Sequence, residues 1–196
     1  MSSIIATTAI RGRFLDIKNT VAQAREIHDQ VRYVEDGLLI SQNGEIQWFG
    51  SWEEGQQHLP EGVQVAHYPE QLIVPGFIDT HIHFPQTEMV GAYGEQLLEW
   101  LNTYTFPTEI QFQDPAYSEK IAEFFVEELL KNGTTTALVF CTVHPESVNA
   151  LFNAATTRNM RLIAGKVLMD RHAPEALTDT AETAYTDSKK LIEKWH

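Results

Sequence analysis

From residue 72 onward the chain repeats one pattern three times: a short apolar, β-branched run, then a longer stretch whose apolar residues recur at helical spacing. Strand–helix alternation of this kind admits few folds. A strand, a helix and a second strand in sequence close as a right-handed crossover and build a parallel sheet with helices on its face. The first strand is expected over 72–84, followed by a long loop holding a short helix at 95–101. Asp114-Pro115 then opens a helix whose apolar positions Ile121, Phe124, Phe125, Leu129 and Leu130 follow the 3.6 period to a stop at Asn132-Gly133. In the second unit, residues 135–143 are apolar and β-branched enough for a strand buried in a parallel sheet, and Pro145 leads into a helix burying Val148, Leu151, Phe152 and Ala155. In the third, 161–169 reads as a strand. Asp179 with Glu182 then reads as the capping box of a helix that turns Ala184, Ser188, Leu191, Ile192 and Trp195 inward.

The segment from Ile4 to Gln71 has a different character. Short strands are expected at 9–17, 31–41, 45–49 and 63–68, with Asn43-Gly44, a dipeptide suited to positive φ, as a hairpin turn. Asp36-Gly37 marks either a second turn or a bulge.

His81-Ile82-His83 closes the first of the apolar runs. Residues at i and i+2 leave a strand on the same side, so the two imidazoles form half of a metal site able to activate water. Asp79 has the same parity and is placed to accept a ring N–H from one of them. Spacing alone is weak support, because a short His-x-His also arises by chance.

The flanking residues are more specific. Pro75-Gly76-Phe77-Ile78-Asp79-Thr80-His81-Ile82-His83 resembles the first barrel strand of the amidohydrolase superfamily. Gln86, Leu97-Leu98-Glu99-Trp100-Leu101, Tyr104-Thr105-Phe106-Pro107, Lys131 to Thr136 and Gly165 to Asp170 are similar to the guanine deaminase family within it. The resemblance implies an α/β fold: a partial (β/α)8 metal-dependent hydrolase (TIM-like) barrel, its first three βα units, preceded by part of a small β-sandwich domain. The expected boundaries are 1–72 for the β-rich domain and 73–196 for the barrel units. A complete barrel takes about 250 residues, whereas 73–196 supplies 196 − 72 = 124, so the chain is expected to be the amino-terminal portion of a longer enzyme.

The same resemblance implies hydrolytic deamination of guanine to xanthine and ammonia by a zinc-activated water. His81 and His83 match the family's two first-strand metal ligands, and Gln86 matches a purine-binding residue. The proton shuttle and the remaining ligands are expected beyond His196, leaving no catalytic residue within this chain and the isolated chain inactive. Zinc is the implied ion, with iron open because two histidines suit both. A cytosolic homodimer acting on the free base is implied for the complete enzyme. The alternatives are another amidohydrolase acting on an amino-heterocycle, such as a cytosine deaminase or a chlorohydrolase-like enzyme, and a non-catalytic fragment.

Other residues expected at the carboxyl ends of strands are Cys141, His144, Asp170 and His172. His144, just before Pro145, is open to two readings, a third ligand or a helix cap, and the cap is preferred because the family draws its later ligands from later strands. Lys166 is expected to be structural. Trp100, Tyr104 and Phe106 are read as packing beneath the loop rather than as a platform for the base.

Composition removes several classes. A net charge of 14 − 27 = −13 disfavours nucleic acid, whose binding rests on Lys and Arg. A single cysteine, Cys141, forbids an intrachain disulfide, favours a reducing cytosol and excludes the deaminase design built on two thiolates. Residues 1–10 are too short an apolar stretch to span a membrane and carry no targeting pattern.

Overall fold

The computed structural model describes residues 6–94 and 96–196, so Ile4 and Glu95, where two elements were expected to begin, lie outside the described residues. The chain divides between Pro75 and Gly76 into two compact units.

The first unit is a four-stranded sheet in the order β3-β2-β1-β4, built from β1 (Thr7–Ile17), β2 (Val31–Gln42), β3 (Glu45–Ser51) and β4 (Val65–Ile73). A short helix α1 (Trp52–Gly55) follows β3, with the Ser51 side chain capping it at the Glu54 amide. Asn43 (φ 52°) and Gly44 (φ 85°) make the β2–β3 turn, the left-handed pair a two-residue hairpin requires. Asp36-Gly37 is a bulge rather than a turn. From Gly12 to Phe14 in β1 the partner in β2 moves from Gly37 to Val34, so the extra residue sits on β2, beside the Arg11–Asp36 ion pair at 2.7 Å. Ala9, Leu38 and Ile40 form a small core covered by Trp48, Trp52 and Val65.

The second unit carries a parallel sheet in the order β5-β6-β7, made of β5 (Phe77–His83), β6 (Thr134–Phe140) and β7 (Arg161–Gly165). Its helices run in the expected alternation: α2 (Leu97–Trp100), α3 (Phe106–Ile110), α4 (Pro115–Lys131), α5 (Pro145–Thr157) and α6 (Ala181–Trp195). This is the opening of a (β/α)8 barrel. Ala137, Val139 and Cys141 turn one face of the sheet onto α4 and α5, where Phe84, Phe112, Phe125, Val126 and Leu151 complete the core.

Several expectations are corrected. The apolar run at 72–78 is divided between two strands. Leu72 and Ile73 end β4, and Pro75, which has no N–H for a ladder, breaks the chain before Phe77. Gly76 is required there, since a Cβ would lie 2.1 Å from the Thr135 hydroxyl. The short helix expected at 95–101 instead continues to Ile110. A π turn at Leu101–Thr105 carries it past Pro107, which has no amide to give to a carbonyl one turn back.

The capping box of α6 is Thr180 with Thr183, not Asp179 with Glu182. Asp179 is held instead by Lys166 at 2.5 Å. Phe124 on α4 and Ile192 on α6 were expected inward but are 54% and 60% exposed. The strands were expected to be buried in the sheet, yet Leu138 and Ile163 are exposed, because helices cover one face of the three strands and nothing among the described residues covers the other.

Candidate metal and substrate site

β5 delivers the two histidines. Alternation along the strand turns Ile82 to the helix-covered core and leaves His81 and His83 on the opposite face, the one toward a barrel axis. Their ring centroids are 5.3 Å apart with planes inclined at 59°. Zinc–nitrogen bonds of about 2.0–2.1 Å in a tetrahedral shell place the centroids of two coordinating imidazoles roughly 5 Å apart. The ring spacing matches that of two imidazoles sharing one ion. His83 is held below the usual histidine range, first by burial and then by the neighbouring His81, which favours the neutral imidazole that a metal needs.

After His83 the chain turns into a 3₁₀ segment, Phe84–Met89. It is anchored by the buried Phe84 and Pro85 and by the Thr87 hydroxyl, which donates to the Phe84 carbonyl at 2.6 Å. This turn sets Gln86 half-buried beside the histidines. His81, His83, Gln86 and Trp100 line one cleft of about 720 Å³. The cleft runs along the unpaired edge of β5, down to Leu129 and Asn132 of the α4 end, so its lower half is a groove between elements rather than a formed pocket.

Asp79 does not take a ring N–H. Its carboxylate accepts from the His81 backbone amide at 3.0 Å, an exchange of local turn geometry for the role parity suggested. His144 stands at the N-cap of α5, but its side chain makes no cap bond, and Nε2 is buried without a partner among the described residues. Ser147 Oγ donates to the His144 carbonyl at 2.8 Å. Cys141 is buried, and burial pushes its thiol up to about 12. Lys166 is spent on Asp179, and Asp170 is spent on Arg171 at 2.8 Å on the surface. Among the described residues no group of three or more His, Cys, Asp and Glu side chains is placed to hold an ion.

Trp100 lines the cleft and also seats its ring against Gly94, where a Cβ would come within 2.2 Å of it, so packing and lining are both true of it. Tyr104 and Phe106 do not line it. The residue that sequence reasoning missed is Phe140 at the end of β6, whose ring lies 4.9 Å from His83 and 5.1 Å from His81. Only strand register reveals it.

The profile of the Amidohydrolase family matches residues 72–196. The chain belongs to the amidohydrolase family. Guanine deaminase of Escherichia coli (strain K12) is 57% identical to this amidohydrolase over 196 residues, all of the chain and 45% of that protein. A solved structure of E. coli guanine deaminase superposes with a TM-score of 0.90 at 58% identity, over 96% of this chain and 44% of the other. A guanine deaminase from C. acetobutylicum, solved with guanine bound in its active site, gives a TM-score of 0.78 at 29% identity over 96% of this chain and 43% of the other. The amidohydrolase chain thus spans less than half the length of the relatives it matches.

Proposed function

We propose that this chain supplies two metal ligands, His81 and His83, and a purine-binding amide, Gln86, to a zinc-dependent hydrolase that converts guanine and water to xanthine and ammonia. The observation that carries the reading is the meeting of those three side chains in one cleft at the carboxyl end of β5, the end where barrel enzymes place their chemistry. In this reading the unit up to Pro75 belongs to a flanking β-domain and the unit from Gly76 to the first three barrel units. The protein works in the cytosol as a homodimer on the free base, and the high similarity to guanine deaminases supports guanine over other amino-heterocycles.

When bound, zinc supplies Lewis-acid activation of water at neutral pH. The chain's own residues do the rest of what falls to it. His81 and His83 would hold the ion, presenting their imidazoles from the end of β5. Gln86 can both donate to and accept from the polar edge of guanine, which orients the amino-bearing carbon. Water adds at that carbon, the C–N bond breaks, and ammonia leaves.

The test uses the protein as expressed from its own gene. Xanthine should form from guanine, stop on chelation and resume with added zinc. Gln86→Leu should lower kcat/KM for guanine by roughly tenfold to a hundredfold with metal content unchanged, the worth of a hydrogen bond left unmade in a buried site. His83→Ala should lose both metal and turnover. Turnover that survives chelation, or an unchanged kcat/KM in Gln86→Leu, defeats the reading.

A further inference from the structure

We propose that Phe140 is a positioning residue that fixes the orientation of both metal-ligating imidazoles, an inference that rests on the metal role of His81 and His83. In the parallel ladder Phe140 is the direct register partner of His83, so the two side chains leave adjacent strands on the same face. The rings stack, with centroids 4.9 Å apart and planes 16° from parallel, and the same phenyl ring lies 5.1 Å from His81 at 51°. One phenyl group thus forms the floor under both ligands.

That floor matters because, among the described residues, the only other ring against either imidazole is its fellow histidine. The second torsion of a histidine is broad and roughly two-fold, so strand geometry fixes where each ring starts but not the plane it adopts. Metal-binding histidines are ordinarily steered by a carboxylate or carbonyl on the ring's second nitrogen. Here Asp79 is turned to a backbone amide, and among the described residues neither ring has a hydrogen-bond partner. Stacking on Phe140 confines the His83 plane and leaves both of its nitrogens free at the ring edge. Phe140 is not needed for the core: it is half-buried and lies on the sheet face opposite Ala137 and Val139.

Cobalt(II), added to the metal-free protein as expressed from its own gene, is the probe. Phe140→Leu should weaken cobalt binding by about tenfold to a hundredfold, the range seen when a ligand's orienting partner is lost. It should also change the visible absorption of the bound ion, while the unfolding temperature of the metal-free protein stays put. Phe140→Tyr, which keeps the ring, should restore affinity and spectrum. Phe140→Met keeps bulk without a ring and is read in the same way as the leucine variant should that one fail to fold. Wild-type affinity and spectrum in the ringless variants overturn the proposal. So does a loss shared by Phe140→Tyr that tracks a lower metal-free unfolding temperature, since that is packing alone. His83→Ala separates the premises: if it still binds cobalt as tightly as wild type, the metal reading has failed and this inference falls with it.

Discussion

Glu109 is a carboxyl buried without a charge partner among the described residues. It lies on α3, packed against the turns Phe84–Met89 and Glu175–Leu177, is 8% exposed, and has no hydrogen-bond or ion-pair partner among the described residues. Burial alone raises its pKa from 4.5 to about 7. Between those values the folded protein holds a proton that the unfolded chain has released. The associated stability is therefore fully present below 4.5, falls as pH rises and is gone above 7. A shift of 7 − 4.5 = 2.5 units corresponds to roughly 3 kcal/mol. Glu109→Gln keeps the shape and removes the ionisation, so the variant should match wild type near pH 4.5 and exceed it by up to about 3 kcal/mol at pH 8. Urea unfolding followed by tryptophan fluorescence at half-unit pH steps measures the difference, and Trp100, on the same helix, reports the region directly. His83 and His144, both held below the usual histidine range by burial, push stability the other way with pH, but they are common to both proteins and cancel in the comparison. A variant-minus-wild-type difference that stays flat from pH 4.5 to 8 would refute the reasoning.

Lys166→Met should cost about 3–5 kcal/mol in unfolding free energy, because it strands Asp179 in a site where the two side chains are 1% and 12% exposed. Adding Asp179→Leu should recover most of the loss, and no recovery would mean the lysine stem rather than its charge matters. Cys141, with its thiol pushed up to about 12, should resist a thiol reagent at pH 8 until denaturant is added; prompt labelling of the folded protein argues against its burial. The 196-residue polypeptide expressed by itself should bind a hydrophobic dye through the uncovered face of Ile78, Leu138 and Ile163, and replacing Leu138 and Ile163 with threonine should reduce that binding.

The order of elements was legible because periodicity is local. Apolar residues at helical spacing on α4 and β-branched runs in β6 need nothing beyond their own segment to be recognised. Boundaries were less so. The apolar residues on both sides of Pro75 read as one strand, although its missing N–H interrupts the ladder there. The helix read as ending at Leu101, and the π turn at Leu101–Thr105 carries it on past Pro107. At the start of α6, Asp179 is as good a cap by residue type as Thr180. What decides is Lys166, thirteen residues upstream and just past the end of β7, which claims the carboxylate at 2.5 Å.

The site divides along the same line. His81 and His83 were legible because a strand's two-residue period fixes which side chains share a face, and Gln86 because its surroundings resemble a known family. Asp79 has the histidines' parity in sequence, but a register shift between Asp79 and Ile82 breaks the alternation in β5, and its carboxylate accepts from the His81 amide two residues on. The orienting task then passes to whatever neighbour the ladder supplies. That neighbour is Phe140 of β6 and not Val139 before it or Cys141 after it, because Phe140 is in register with His83 and on its face. A parallel register is set by two segments more than fifty residues apart in sequence, so no window on one strand contains it. The contact most able to hold the two histidine rings in place is therefore the one that a linear reading had no means to see.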